Sequence, residues 1–323
     1  MKVLVTGGAG YIGSVLSRQL LAAGHEVRAF DSLLHGGHAL LGLVHEPGFE
    51  FRRGDVRVEA DVGSALEGID ALVHLAAIVG DPACARQPDL AKAVNLEASV
   101  RLIERAQRAG VRRLVFASTC SNYGRMASHD VLLTEESALR PVSLYAETKV
   151  AVERAMLGLP ASATLIPTVL RFATIFGLSP RMRFDLTVNE FTLELMTKGR
   201  VTVFGEQFWR PYVHVQDAAR AIGLVLDAPI EHVARQAFNV GDTSQNFQKG
   251  RLVELIRAQI SNDVEVERVQ KVEDPRDYRV SFEKIQRVLD FRIAHTVETG
   301  IRELVRAIDQ GLITDFENPR YRN

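Results

Sequence analysis

The stretch TGGAGYIG at residues 6–13 decides the fold of this chain. It follows an apolar run at residues 2–6 and opens a segment whose apolar residues recur at helical spacing. Gly7 permits a tight turn, Gly10 lets a pyrophosphate approach the backbone, and Gly13 allows the helix to pack closely on the strand. A strand, a glycine loop and a helix in this order predict a dinucleotide-binding βαβ unit.

An acidic residue follows at the position expected for ribose recognition. Asp31 closes the second predicted strand, residues 26–31, and its carboxylate can accept hydrogen bonds from both hydroxyls of an adenosine ribose. Because the same carboxylate would repel a 2′-phosphate, the sequence favours NAD over NADP. Asp55, which follows the third predicted strand, is placed to meet an adenine amino group.

Short apolar runs alternate with helical patterns through the first half of the chain. We predict a long helix over residues 89–109, ended by Gly110. The strands are predicted at residues 2–6, 26–31, 49–52, 70–75, 112–118 and 163–171. This alternation is typical of parallel strands joined by right-handed crossovers, so the predicted fold class is α/β, a Rossmann-type doubly wound parallel sheet.

From about residue 175 the alternation breaks down into shorter elements separated by loops. We predict an NAD-binding Rossmann domain over residues 1–174 and a smaller α/β domain over residues 175–323, mainly for substrate, with some segments returning to the sheet. The predicted elements of the second half are helices at 186–198, 215–227 and 249–260 and a strand at 201–204.

The bulk composition excludes several classes of function. The 323 residues include 39 basic and 40 acidic side chains, which give no electrostatic reason for a nucleic-acid or membrane partner. Two cysteines are too few for a disulfide framework, and the N-terminus has the pattern of a strand rather than of a secretion signal. We therefore expect a cytoplasmic protein. His74, His214 and His232 lack metal-site spacing, so no metal is expected.

A candidate catalytic pair lies in YAETK at residues 145–149, where Tyr145 and Lys149 share one face if the segment is helical. A free phenol titrates near about 10, and we expect the ammonium and the positive nicotinamide ring of NAD to favour the phenolate. Tyr145 would then take a proton from a substrate hydroxyl as hydride leaves the same carbon. Thr119, at the carboxyl end of the preceding strand, is placed to bond the same oxygen.

Taken together, these motifs resemble the extended short-chain dehydrogenase/reductase family, in particular its nucleotide-sugar epimerases and dehydratases. The further shared motifs are HLAA at 74–77, STCSNYG at 118–124, LRFATIFG at 170–177, RPYVHV at 210–215 and FNVG at 238–241. The resemblance implies an NAD that stays bound and is reused, a nucleotide-diphosphate sugar as substrate, and a 4-keto intermediate. It also implies a homodimer built from the helix at 89–109 and the helix that carries Tyr145.

The resemblance also assigns the site residues. Thr119, Tyr145 and Lys149 would carry out the chemistry. The cofactor-binding residues would be Gly7, Gly10, Tyr11, Ile12, Asp31, Ser32, Asp55, Val56, Leu75, Ala76, Ala77, Asn95, Ser118, Tyr145, Lys149 and Phe172. The substrate-binding residues would be Thr119, Asn189, Val203, Arg210 and Arg276, with Arg279 as an alternative to Arg276. Arg210 has an independent reason, because a guanidinium can hold a phosphate through two hydrogen bonds.

The residues after Thr119 decide between reactions. Where the 4,6-dehydratases of the family carry Asp and Glu, this chain has Cys120 and Ser121, and neither is a good proton shuttle for a departing hydroxide. Small residues at these positions are typical of the epimerases of the family, so we predict a C4 epimerase. Cys120 is expected to face away from the site as a small buried side chain.

Two other places depart from the family pattern. Ala173 stands where many members have an Asn that contacts the nucleotide phosphates. Arg181 and Arg183 lie near the expected cleft, where they would either grip a phosphate or a sugar carboxylate, or belong to a solvated loop, which we favour.

Three alternatives to an epimerase stay open at this point. One is an NAD(P)H-dependent reductase of a 4-keto-sugar nucleotide, which Asp31 disfavours because many such enzymes use NADPH. A dehydratase of the same family is the second. The third is an idle NAD-sensing protein, which the intact Tyr145 and Lys149 oppose.

Overall fold

A computed structural model describes residues 1–126, 128, 130–261, 263–274 and 276–323. Its strands are β1 Lys2–Thr6, β2 Glu26–Asp31, β3 Phe49–Arg53, β4 Ala71–His74, β5 Arg113–Thr119, β6 Ile166–Phe172, β7 Thr174–Phe176, β8 Arg200–Phe204, β9 Trp209–His214, β10 Gln236–Val240, β11 Asn246–Gln248 and β12 Glu265–Val269.

The helices surround these strands. They are α1 Tyr11–Ala22, α2 Glu59–Leu66, α3 Asp81–Arg86, α4 Pro88–Lys92, α5 Ser99–Arg108, α6 Leu144–Leu157, α7 Thr187–Lys198, α8 Val215–Asp227, α9 Ile230–Val233, α10 Lys249–Arg257, α11 Glu283–Leu289 and α12 Val297–Asp309. Among the described residues, no helix is long and apolar enough to cross a membrane.

A seven-stranded parallel sheet in the order β10-β6-β5-β4-β1-β2-β3 forms the centre of the fold. The predicted fold class and the predicted strands of the first half are confirmed, with boundaries that differ by at most three residues. Strand β10 comes from the chain beyond residue 175 and pairs with β6. The division of the chain at residue 174 remains a prediction.

Helices cover both faces of the sheet, and successive side chains of a strand alternate between the two buried layers. On β1, Val3 and Val5 join a cluster that includes α1 and α8, whereas Leu4 points to the other layer, formed with α2, α5 and α6. Two smaller sheets, β11-β9-β7 and β12-β8, lie in the second half. The carboxyl edge of the main sheet is thereby left as the place where loops can form a site.

The predicted helix at 89–109 is interrupted. Helix α4 runs into a π-helical turn, Ala93–Ala98, before α5 begins. Asn95 within the turn faces inward and bonds to both the backbone N–H and the carbonyl of Ile78, at 2.8 and 2.9 Å. Single π turns are frequent where a helix must present a side chain at a fixed place.

His74 has the packing role predicted for it. Its ring is buried, with Nδ1 2.7 Å from Thr6 Oγ1 and Nε2 2.8 Å from Ser99 Oγ. Burial lowers the pKa of His74 to about 3, so the ring is neutral at physiological pH. No group of three or more His, Cys, Asp or Glu side chains suited to a metal ion occurs in the described part of the chain.

Candidate active site

A cavity of about 790 Å³ opens at the carboxyl edge of the main sheet. This volume is in the range of small-molecule and cofactor sites, and the position is where open α/β sheets bind ligands. The predicted residues that line it are Gly7, Gly10, Tyr11, Ile12, Asp31, Ser32, Asp55, Val56, Leu75, Ala76, Ala77, Ser118, Thr119, Tyr145, Lys149, Phe172, Arg210 and Arg276. Residues at or after the carboxyl ends of six strands, β1 to β6, thus converge on one space.

The glycine loop has the geometry of a phosphate cradle. Gly7 has a φ of +72°, and a Cβ added there would lie 2.9 Å from the backbone nitrogen of Ala76. Gly10 is the N-cap of α1 and brings no side chain to cover the first N–H groups of the helix. These N–H groups and the positive end of the helix dipole face a space that a pyrophosphate fits.

The acidic residues predicted to hold the adenosine lie at the same cavity. Asp31 accepts hydrogen bonds from the backbone N–H of Ala9 at 3.1 Å and of Leu33 at 2.7 Å, one on each oxygen. These bonds fix the orientation of the carboxylate and leave lone pairs for ribose hydroxyls. Asp55 is held by Arg57, whose hydrogen bonds lower the pKa of the Asp55 carboxyl.

The predicted catalytic residues all line the cavity. Tyr145 and Lys149 lie on α6, and Thr119 ends β5. Lys149 is buried, and its Nζ donates to the carbonyl of Ala117 at 2.8 Å and lies 5.9 Å from the centre of the Tyr145 ring. Burial lowers the pKa of Lys149 to about 8.

The surroundings of Tyr145 in the protein chain alone disfavour the phenolate. Burial raises the pKa of the Tyr145 phenol; the charge of Arg183 opposes this effect, while Cys84, Asp81 and Tyr278 add to it. Lys149 therefore does not by itself make the phenol acidic in the protein alone. The physical reason is desolvation, because a phenolate without a neighbouring cation in contact is disfavoured in a buried site. Our expectation of a phenolate also counted on the positive nicotinamide ring of bound NAD, and it stays a prediction.

A buried ion pair that the sequence analysis missed supports the catalytic residues. Glu153, one helical turn beyond Lys149 on α6, accepts 2.7 Å bonds from Arg171 and Asn122 and a short one from Ser118. The side chains of Glu153 and Arg171 are 2% and 6% exposed. The pair joins α6 to the ends of β5 and β6, and the spacing of four from Lys149 was the signal available in the sequence.

Cations surround the part of the cavity predicted for the substrate diphosphate. Arg210 pairs with Asp274 at 2.8 Å, and Lys249 shares the same carboxylate oxygen at 3.2 Å. Arg276 lines the cavity and pairs with Asp81 at 3.1 Å. Of the two arginines considered, Arg276 thus lies at the cavity, whereas the guanidinium of Arg279 stacks on Trp209 at 4.8 Å from the ring centre.

Three predicted site residues are not among the described residues that line the cavity. Asn95 holds the backbone of Ile78, and Val203 packs in the core at 1% exposure. Asn189 is fully buried, and its amide bonds to the backbone N–H of Gly177 and the carbonyl of Arg183. Thr187, at the start of α7, lies at the cavity instead.

The structure also shows where the residues that depart from the family pattern lie. Cys120 is fully buried and donates to the carbonyl of Arg171 at 3.2 Å, so it faces away from the cavity as predicted. It does so from a 3₁₀ turn, Cys120–Tyr123, rather than from an extended segment. Ser121 lines the cavity, where its Oγ lies 3.3 Å from the hydroxyl of Tyr278. Ala173 lines the cavity as well.

The interpretation of Arg181 and Arg183 as a solvated loop was wrong. Both side chains line the cavity and are only 7% and 8% exposed. Arg183 is neutralised by Asp185 through bonds of 2.9 and 2.7 Å. Pro275, which lies in the run DPRDYR beside Arg276, is outside the described residues.

Comparisons with known proteins agree with this geometry. The sequence model of the NAD dependent epimerase/dehydratase family matches residues 3–241. An uncharacterized UDP-glucose epimerase of Bacillus subtilis is 32% identical over 250 residues, which are 75% of this chain and 77% of that protein. The structure of a Thermus thermophilus UDP-glucose 4-epimerase with NAD is 28% identical, with a TM-score of 0.84 over 97% of this chain and 100% of that one. A Streptomyces venezuelae dTDP-glucose 4,6-dehydratase solved with NAD is also 28% identical, with a TM-score of 0.85 over 96% and 98%.

Proposed function

The chain belongs to the NAD dependent epimerase/dehydratase family, and on this premise we propose that it inverts C4 of a hexose linked to a nucleoside diphosphate. Its first substrates to test are UDP-glucose and UDP-galactose, because relatives of the chain carry UDP-glucose epimerase names. The reaction would pass through a 4-keto sugar that is reduced again before release.

One observation carries the proposal. Thr119, Tyr145 and Lys149 gather at a cavity of cofactor size, while the two positions after Thr119 bring no acid–base pair to it. Cys120 is buried away from the cavity, and Ser121 bonds to Tyr278. Elimination of water needs a proton donor for the departing hydroxide, whereas removal and return of hydride at C4 do not.

The residues of the chain divide the work. NAD, when bound, supplies the hydride acceptor and donor and a positive charge beside the phenol. Tyr145 removes the proton of the sugar 4-hydroxyl and returns it to the ketone oxygen after the sugar has presented its other face. Thr119 bonds the same oxygen, and Arg210 and Arg276 hold the diphosphate during the rotation.

The test is direct. Purified protein without added cofactor is incubated with UDP-glucose or UDP-galactose, then with GDP-, dTDP- and CDP-hexoses, and inversion at C4 is followed by NMR. We expect inversion in at least one case and a loss of about a hundredfold or more in Tyr145→Phe. Tyr212→Phe is the matched control, since its buried hydroxyl has no hydrogen-bond partner among the described residues.

A different outcome would replace this proposal. If no hexose is inverted but added NADH is consumed by a 4-keto-sugar nucleotide, the protein is a reductase. Release of a 4-keto-6-deoxy sugar would make it a dehydratase. If Tyr145→Phe equals wild type in each assay, the assignment of the catalytic base fails.

A further inference from the structure

Arg181, between β7 and α7, has an unusual environment for a buried arginine. Arg181 lines the cavity and is only 7% exposed. Nη2 donates to the carbonyl of Arg322 at 3.2 Å and to Oδ1 of Asn323 at 2.7 Å. Nε is buried without an acceptor, and no carboxylate of the described residues lies within ion-pair distance.

This arrangement leaves a positive charge uncompensated. Burying an ion costs several kcal/mol unless it is paired and its donors are bonded. Burial and the neighbouring Arg183 lower the pKa of Arg181 to about 10, and the more distant carboxylates of Asp185 and Asp31 do not offset this. Arg183 is already neutralised by Asp185, so of these two arginines Arg181 is the one without a paired carboxylate among the described residues.

The neighbours of Arg181 show which part of the cavity this residue lines. Ser179, two residues before Arg181, donates from its Oγ to the carbonyl of Tyr11 at 2.7 Å and lies 3.3 Å from Ser14 Oγ, so the segment that carries Arg181 packs against the start of α1. Asp31, whose pKa responds to the charge of Arg181, lines the same cavity. Arg210 has different neighbours, since it pairs with Asp274 at 2.8 Å and its guanidinium lies 5.5 Å from the centre of the Tyr278 ring. Arg181 therefore lies toward the end of the cavity where Gly10 leaves the helix N–H groups open.

We propose that Arg181 is a further cofactor-binding residue, which donates hydrogen bonds to the anionic diphosphate of NAD opposite the N–H groups of α1. Arg322 and Asn323 hold the guanidinium in place through their acceptors. The diphosphate supplies the missing negative charge and is gripped from two sides. This deepens the proposed function and rests on it, because an epimerase reuses one NAD and gains from slow release.

The experiment compares wild type with Arg181→Met, Arg181→Lys and the exposed control Arg320→Gln. NAD per chain is measured by chromatography after acid release, and NAD dissociation is followed by exchange against labelled NAD at two ionic strengths. Loss of charged hydrogen bonds should make NAD leave about 10- to 100-fold faster in Arg181→Met, with Arg181→Lys between it and wild type. Salt should accelerate release in wild type and less so in Arg181→Met.

UDP binding separates the two sources of diphosphate. We expect the Kd of UDP to change less than about twofold in Arg181→Met, because UDP is held at Arg210. Weakened UDP binding with unchanged NAD release would overturn the proposal, as would equal NAD content in all variants. If Arg181→Met does not fold, the proposal is tested by the NAD release rate of Arg181→Lys and by the salt dependence of NAD release in wild type. Absence of NAD from wild type would instead count against the proposed function, and missing inversion alone leaves the role of Arg181 intact.

Discussion

The ion pair between Glu153 and Arg171 should hold helix α6, which carries Tyr145 and Lys149, on the sheet. Glu153 accepts bonds from Arg171 Nε at 3.2 and 3.1 Å, from Arg171 Nη2 at 2.7 Å, and from Ser118 and Asn122. In Glu153→Gln the volume is nearly kept, but an amide N–H₂ replaces an acceptor, and Arg171 becomes a buried charge without a counterion. Removing one partner of such a pair costs about 3–5 kcal/mol.

The assay is urea unfolding followed by circular dichroism and by the fluorescence of the single tryptophan, Trp209. Glu147→Gln on the same helix is the matched control, because Glu147 is exposed, and it should change the free energy of unfolding by less than about 0.5 kcal/mol. Glu153→Met with Arg171→Met together should cost less than the sum of the two single changes. A loss below about 1 kcal/mol in Glu153→Gln would refute the argument.

Three further outcomes are expected. The pKa of Lys149 in the folded protein, about 8, lies below its ordinary value, so the unfolded state binds more protons above pH 8. The free energy of unfolding of wild type should therefore rise from about pH 8 to 10, and urea titrations of Lys149→Met should lack this rise. Gly7→Ala should cost about 1–3 kcal/mol and lower NAD content, whereas Gly63→Ala in α2, with open space around it, should stabilise by about 1 kcal/mol. Arg210→Met should weaken UDP binding about tenfold or more in calorimetry and leave NAD content unchanged.

The sequence predicted those parts of the fold and site that depend on local patterns. Strand β1 could be found because three successive residues, Val3, Leu4 and Val5, are all fully buried, which produces an unbroken apolar run. Tyr145 and Lys149 could be placed on one face because four residues span about one helical turn. The glycine loop was identified by its position between a strand and a helix.

What could not be predicted depends on contacts between distant segments. Arg181 is buried because it bonds to residues about 140 positions later, and no local pattern signals this. Asn189 was assigned to the diphosphate by the family resemblance, yet the turn of α7 points it at Gly177 and leaves Thr187 at the cavity. Asn95 was assigned to the cofactor, but the π turn directs it to the backbone of Ile78.

The place of β10 at the edge of the main sheet limits how the chain can be divided. A fragment that stops near residue 174 would leave the backbone N–H and C=O groups on one side of β6 without a neighbour, along a strand in which five of seven residues are apolar. Such an open edge is a template for pairing with other copies. Split reporters and separately expressed halves of this chain should therefore precipitate unless the segment around residues 236–240 is supplied with the first half.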